Sequence, residues 1–288
     1  MTTARPVQMI ALLDGSLVDP DVPLLRADDL GVVRGDGVFD VAFCSHGEVP
    51  NLEAHLDRLE ASAHILGLPK PDRAGYARAV TALTDAWDWD ANPEAIVRMV
   101  ETRGSELGGE PTCWAMMMPL AESIYRDRHE GVRVLILDRG YEAEETVDLP
   151  WLLPGAKSLS YGINMAAQRW ALNHGADDAL FVTPNGHLLE GPTSTLLLDL
   201  DGKLQTPQQD GILASTTLRR LMDAGAPEGI TVTFAELHRE VLDRVDGAWL
   251  ISSGRLLAPI TSVDGKAIPR SPMHATLARL LKVPAPRN

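Results

Sequence analysis

The stretch Ala156-Lys157-Ser158-Leu159-Ser160-Tyr161-Gly162-Ile163-Asn164-Met165 is the one on which the reading of this chain turns. It is entered from an apolar approach, Trp151-Leu152-Leu153-Pro154, which sets its lysine in hydrophobic surroundings. On spacing alone Lys157 reads as an ordinary surface lysine, because long charged side chains normally keep their heads in water. Downstream, Asn164 to Asn173 carries apolar residues at helical spacing. Upstream, Tyr141 to Pro150 is acidic and loop-like, and Val132 to Leu137 is an unbroken β-like run.

Working outward, the chain alternates strand and helix signals. Met9 to Leu13, the turn pair Asp14-Gly15 and Ser16 to Val18 read as strand, turn, strand. Val38 to Cys44 is another strand. Asn51 is placed to cap a helix with Leu52, Leu56, Leu59, Ala63 and Leu66 on one face, stopped by Gly67. A second helix covers Ala74 to Trp87, and strands cover Ala95 to Thr102 and Thr112 to Met118. Ala121 to Gly131 is polar and charged and reads as an inter-domain linker. Beyond it come short strands at Ala179 to Thr183, His187 to Glu190 and Leu196 to Leu200, with Asn185-Gly186 and Asp201-Gly202 as hairpin turns. A helix at Thr216 to Ala224 and a strand at Ala248 to Ser252 follow. The expectation is an α+β chain: a small α/β domain over 1–120, a linker over 121–131, and a larger, β-rich domain over 132–288 that carries Lys157.

Composition excludes several classes. The chain has 288 residues with 26 basic and 40 acidic side chains, a net charge of −14. That balance argues against nucleic acid and anionic membrane as partners, since both require a positive surface. A small anionic substrate is compatible with it, because converging arginines dominate at short range. No apolar run approaches the roughly 18 residues of a membrane span, and the first residues carry no secretory pattern. Two distant cysteines, Cys44 and Cys113, make neither a disulfide framework nor a zinc ribbon, so a reducing cytoplasm is the expected setting. Gly35-Asp36-Gly37 lacks the third glycine of a dinucleotide loop, since Asp40 stands there. There is no phosphate loop of the G-x-x-x-x-G-K-[ST] type, no H-E-x-x-H and no G-x-S-x-G elbow. The eight histidines are scattered, so no metal site is expected.

Three segments remain. They are Arg34-Gly35-Asp36-Gly37-Val38-Phe39-Asp40 with His55-Leu56-Asp57-Arg58-Leu59, the lysine stretch itself, and Leu189-Glu190-Gly191-Pro192-Thr193-Ser194-Thr195 with Gly211 to Thr217. In this order the chain resembles the fold-type IV pyridoxal-phosphate enzymes, the class IV aminotransferase family. That family includes D-amino acid and branched-chain transaminases and 4-amino-4-deoxychorismate lyase. The resemblance runs from about Leu12 to Gly265. Beside Ser158, Tyr161 and Asn164, it turns Lys157 from a surface lysine into the family's cofactor lysine.

The resemblance assigns each need of that cofactor to a residue here. Lys157 is the amine that carries the aldehyde, and burial would make it a usable base near neutral pH. Glu190 faces the pyridine nitrogen and keeps it protonated, so that the ring accepts electrons. Arg58 is the phosphate arginine, able to offer two parallel N–H groups. Thr216 and Thr217 open a helix whose first amides favour an anion. Ser253 adds a hydroxyl at the phosphate, Ser194 and Thr195 belong to the cofactor-binding set, and Tyr161 donates to the phenolic oxygen. Relatives of this kind are homodimers, and the same is implied here.

Among the family's activities, the lyase fits best. Ile96-Val97-Arg98-Met99 lacks the aromatic and the proline of branched-chain transaminases, and Ser105 to Pro111 lacks the Arg-x-His of D-amino acid transaminases. Glu101-Thr102-Arg103-Gly104-Ser105 resembles the lyase, as do the lysine stretch and Leu189 to Thr195. One departure is Asp40-Val41, where relatives often have Glu-Thr or Thr-Thr, so a hydroxyl that could handle the leaving group is missing. A class IV aminotransferase acting on D- or branched-chain amino acids is the alternative. Aminodeoxychorismate has two carboxylates, and Arg34, Arg98 and Arg103 are the candidates to bind them.

Overall fold

Strand β3 (Gly37–Ser45) borders the first of two sheets in the computed structural model, which describes residues 8–142, 149–209 and 211–286. It pairs antiparallel along its whole length with β4 (Glu94–Thr102), from Gly37 opposite Thr102 to Ser45 opposite Glu94. β5 (Thr112–Pro119), β1 (Met9–Ala11) and β2 (Leu17–Val18) complete the order β2-β1-β5-β4-β3. Strand alternation sends Val38, Ala42 and Cys44 of β3 and Ala95, Val97 and Met99 of β4 to one face. There they form a buried core with Leu56, Leu59 and Ala63 of helix α2 (Leu52–Ile65) and Tyr76, Ala79, Val80 and Leu83 of α3 (Arg73–Ala86). A short helix, α1 (Leu30–Arg34), precedes β3. The predicted strands and helices here agree with the observed ones to within a few residues. Asn51 differs from expectation: it precedes α2 in a left-handed conformation (φ 66°) and makes no side-chain cap bond.

This first compact unit comprises residues 1–121 and, from far along the sequence, Ala156–Tyr161. The inserted segment lies along the free edge of β3. Phe39 N donates to Lys157 O (3.0 Å), and Leu159 N donates to Gly37 O (2.8 Å). Gly37 has to be glycine for this. A Cβ there would come within 2.6 Å of Glu101 O and 2.7 Å of the Leu159 side chain. Gly37 therefore serves strand packing, and Gly35 ends α1 in a left-handed conformation (φ 69°). The expectation that the larger, C-terminal domain carries Lys157 is corrected: edge pairing with β3 assigns it to the first unit.

The second unit comprises residues 122–155 and 162–288. It opens with a correction. The polar stretch read as a linker holds helix α4 (Glu122–Glu130), whose buried face is Tyr125, Asp127 and Arg128. Charged residues that bury against each other carry no hydropathy signal. The sheet runs β10 (Val232–Ala235), β9 (Lys203–Pro207), β8 (Thr195–Leu200), β11 (Gly247–Ile251), β12 (Ala258–Val263), β6 (Val132–Asp138), β7 (Asp178–Val182). β13 (Lys266–Ala267) pairs with β12 off this path. β8 and β9 form the hairpin expected at Asp201-Gly202, whose residues have φ 54° and 73°. His187 to Glu190, expected as a strand, makes only isolated bridges, at His187 and Leu188. Among the described residues three buried clusters cover the sheet, one around Leu196, Leu198 and Leu250, one around Leu197, Leu218 and Trp249, and one around Ala171, Ala179 and Phe181. Helices α5 (Gly162–Asn173), α6 (Thr216–Gly225) and α7 (His274–Leu280) complete it. Much of the acidic stretch Tyr141 to Pro150 lies outside the described residues. Among the described residues no helix is long and apolar enough to cross a membrane.

Candidate active site

In the first unit, one cluster gathers around Lys157. Its side chain is buried (9% exposed), with Nζ 4.8 Å from the centroid of the Phe39 ring and 5.5 Å from that of Tyr161. The two rings meet edge to face at 5.3 Å. Lys157 N donates to Ser62 Oγ of α2 (3.1 Å), which adds a second anchor to the edge pairing with β3. Arg98 of β4 lies on the same face, its guanidinium carbon 5.8 Å from the Phe39 centroid. Its Nε is buried with no hydrogen-bond partner. Burial lowers the Arg98 pKa from its ordinary value, against an upward push from Tyr161. A buried donor left unmatched costs about 1–3 kcal/mol.

The other two arginines expected to meet substrate carboxylates have partners already. Arg34 is exposed and pairs with Glu106 at 2.6 Å. Arg103 donates through Nε and Nη2 to both oxygens of Asp36, at 2.6 and 3.1 Å, and also to Leu66 O and Gly67 O. Both charges are thereby taken up within the unit.

Arg58 lies on the helix-packed face. It donates through Nε and Nη2 to Asp40, at 2.7 and 2.9 Å, and His55 Nδ1 lies 2.7 Å from the same carboxylate. Asp40 is fully buried. Burial pushes its pKa up, but the Arg58 charge, the hydrogen bonds and the His55 charge outweigh that, and the carboxyl is held well below its ordinary 3.8. Sequence reasoning took Asp40 only as a missing hydroxyl. The available signal was its parity with Val38 and Ala42 on β3 and the i, i+3 spacing of His55 and Arg58 on α2, which turns both toward one point.

In the second unit, a second group forms at one end of β8 and β11. Thr195 starts β8 directly opposite Ile251, the last residue of β11, so Ser194-Thr195 and Ser252-Ser253 are neighbours. A tight turn over Gly191–Ser194 leads in, with Gly191 N donating to Ser194 O (2.8 Å). A Cβ on Gly191 would come within 2.6 Å of Ser194 Oγ, which is buried and bonded to no protein atom. Glu190 is half-buried, and one of its carboxylate oxygens accepts from Leu213 N (3.4 Å). Thr216 and Thr217 are buried at the start of α6, where Ser215 Oγ caps Leu218 N (3.1 Å). A helix start leaves its first amides outside the helix's own ladder and favours an anion.

Each feature, within its own unit, has the chemistry to suit one part of pyridoxal phosphate. A buried amine suits an aldehyde, a half-buried carboxylate suits a ring nitrogen, and a helix start with hydroxyls nearby suits a phosphate. The two-sheet α+β fold is that of a pyridoxal-phosphate-dependent enzyme family, as comparison with known proteins shows. The chain belongs to the class IV aminotransferases: the family described as "Amino-transferase class IV" matches residues 37–263. A curated relative, the bifunctional aminodeoxychorismate lyase / D-amino acid transaminase of Mycobacterium tuberculosis, is 38% identical over 95% of this chain and 97% of its own. The PLP-bound structure of a hypothetical aminotransferase from that organism superposes with a TM-score of 0.91 at 38% identity, covering 96% of this chain and 98% of that one. A fold IV-transaminase from Curtobacterium pusillum superposes at 0.90 with 37% identity, covering 97% of this chain and all of that one.

Proposed function

We propose that this enzyme is a 4-amino-4-deoxychorismate lyase, releasing 4-aminobenzoate and pyruvate for folate synthesis in the cytoplasm. The observation that carries a carboxylate substrate is Arg98, whose buried and unmatched Nε shares a face with the Lys157 amine. The lyase is favoured over other carboxylate chemistry by the first activity named for the Mycobacterium tuberculosis relative. The alternative is a class IV aminotransferase acting on D- or branched-chain amino acids; the second activity named there supports D-amino acids, and the Curtobacterium fold IV-transaminase supports transamination without naming a substrate.

Bound pyridoxal phosphate supplies an aldehyde that captures an amine and a ring that takes up the electron pair left when a bond to carbon breaks. Lys157 would hold the cofactor through its amine, and the same amine would serve as the base. It takes the proton from C4 of the substrate ring in the lyase reaction, or from Cα in the transaminase reaction. Glu190 keeps the pyridine nitrogen protonated, and Tyr161 donates to the phenolic oxygen. Arg58, Thr216, Thr217 and Ser253 would hold the phosphate, and Ser194 and Thr195 would belong to the cofactor-binding set. Asp40 fixes the orientation of Arg58. Arg98 binds a substrate carboxylate; Arg34 and Arg103 are left out of this role because Glu106 and Asp36 already neutralise them.

The working form is a homodimer. Helix α5 supports this: Ile163, Trp170 and Leu172 are 63%, 55% and 56% exposed on a helix whose only formal charge is Arg169. A two-fold contact sets a surface against its own copy, so in a chain of net charge −14 it favours such a nearly uncharged patch.

The deciding experiment supplies aminodeoxychorismate without any keto acid. Release of 4-aminobenzoate and pyruvate supports the lyase. Turnover only with a D-amino acid and 2-oxoglutarate would replace that reading by the alternative.

A further inference from the structure

Between β11 and β12, residues Ser252, Ser253 and Gly254 form a half-exposed loop above a buried floor of charge. Arg128 of α4, 2% exposed, donates from Nη2 to Gly254 O (2.6 Å) and from Nε to Arg255 O (3.1 Å). The loop also sends its own side chain down. Arg255 donates from Nε to Asp127 Oδ2 (3.1 Å) and from Nη1 to Asp178 Oδ2 (2.5 Å). Asp127 and Arg128 are consecutive on α4, and Asp178 opens β7, so one helix holds the loop by both its backbone and its side chain. Within the loop, Leu256 N donates to Ser252 O (2.7 Å). Leu256 has φ 58°, a conformation leucine rarely adopts and one that persists only where the surroundings impose it.

Two guanidiniums and two carboxylates buried together are a poor device for stability alone. Well-packed apolar residues of similar volume generally do as well or better. What a paired guanidinium adds is geometry: its planar fork meets two acceptors at fixed angles, and here both acceptors are backbone carbonyls of one short loop. Because a trans peptide holds its C=O and N–H in one plane and pointing opposite ways, fixing two successive carbonyls also fixes the amides that follow them. The amides so fixed are those of Arg255 and Leu256, which donate to Ser252 Oγ (3.3 Å) and Ser252 O (2.7 Å), so the backbone is held on both sides of Ser253.

We propose that Arg128 is a positioning residue for the cofactor phosphate, acting through the Ser252–Arg255 loop, with Asp127, Asp178 and Arg255 as its support. This rests on the reading of Ser253 as a phosphate ligand. Displacement of the loop by a fraction of an ångström would lengthen a charge-assisted hydrogen bond and weaken cofactor retention without touching Lys157.

The test compares Arg128→Lys with Ser253→Ala in the full-length protein. Lysine keeps the charge but loses the fork. Two readings are taken: the dissociation constant of pyridoxal phosphate, and the 31P resonance of the bound phosphate. Thermal unfolding without cofactor monitors the fold. We expect Arg128→Lys to weaken pyridoxal phosphate binding about tenfold or more and to move the 31P signal, as Ser253→Ala does. If Ser253→Ala changes both readings and a folded Arg128→Lys changes neither, the positioning role is overturned and the phosphate reading stands. If Ser253→Ala changes neither, the phosphate reading fails and takes the proposal with it. Should Arg128→Lys not fold, Asp178→Asn, which loosens the Arg255 arm and leaves Arg128 in place, is judged by the same two readings.

Discussion

Arg58 grips Asp40 with two nitrogens, at 2.7 and 2.9 Å, and the carboxylate it holds is fully buried. The pair joins the middle of β3 to one turn of α2, and each charge depends on the other for its place in the core. Asp40→Ala leaves the guanidinium without its partner, and breaking a buried pair costs about 3–5 kcal/mol. Urea unfolding at pH 7 measures the loss; a change within about 0.5 kcal/mol would show that the pair is not a structural tie. The sign with pH follows from the depressed carboxyl. Its contribution is present above the unfolded-state value of about 3.9 and is lost as pH falls below it. Wild type should therefore lose stability on acidification below about pH 4 more steeply than Asp40→Asn.

Glu101 shows the opposite linkage. Burial pushes its pKa up to about 7, and its Oε2 is buried with no hydrogen-bond partner. The folded state holds this proton more tightly than the unfolded chain, so stability is full below about pH 4 and declines as pH rises toward 7. Glu101→Gln removes the titration. The difference in melting temperature between Glu101→Gln and wild type should grow in favour of the variant from pH 5 to pH 8, and a difference that stays flat across that range would refute the linkage.

Ser194 separates fold from cofactor. Its buried hydroxyl bonds to no protein atom, so Ser194→Ala removes a desolvated polar group and should leave the cofactor-free protein as stable as before, or more so. Pyridoxal phosphate affinity should fall about tenfold if that hydroxyl serves the cofactor. Calorimetry without cofactor and equilibrium dialysis with it read the two effects; unchanged affinity would remove Ser194 from the site.

Arg98 separates binding from chemistry. Arg98→Met removes the one candidate carboxylate ligand whose Nε is buried without a hydrogen-bond partner among the described residues. KM for the carboxylate substrate should rise roughly tenfold to a hundredfold, the worth of a hydrogen bond to a charged group, with a smaller change in kcat. Steady-state kinetics at saturating cofactor decides; a fall in kcat with KM unaltered would place Arg98 in the proton-transfer step instead.

What the sequence disclosed depended on whether a residue's neighbours lie close along the chain. The strands and helices of the first unit follow from apolar spacing, and the Asp201-Gly202 hairpin follows from two residues that tolerate positive φ. Family likeness supplied Lys157, Glu190 and the helix start at Thr216, because those stand in short local motifs. Long-range pairing stayed hidden. Glu106 lies far from Arg34 in sequence and Arg103 far from Asp36, so a local reading left all three arginines open to substrate. Helix α4 was taken for a linker because its inward face includes Asp127 and Arg128, whose partners, the Arg255 side chain and the Gly254 and Arg255 carbonyls, lie far along the sequence. Asp40 counted as a lost hydroxyl until the side chains across from it were known.

The lysine segment borrowed from mid-chain to border β3 has a consequence during synthesis. A ribosome that has delivered the first 121 residues has delivered the helices and five strands of one unit, yet that unit still has an open hydrogen-bonding edge, and open edges recruit other strands. About forty more residues must emerge before Ala156–Tyr161 can seal it. A fragment truncated at the apparent boundary should be prone to self-association, and the position that carries the cofactor amine is supplied by the same stretch that closes the sheet.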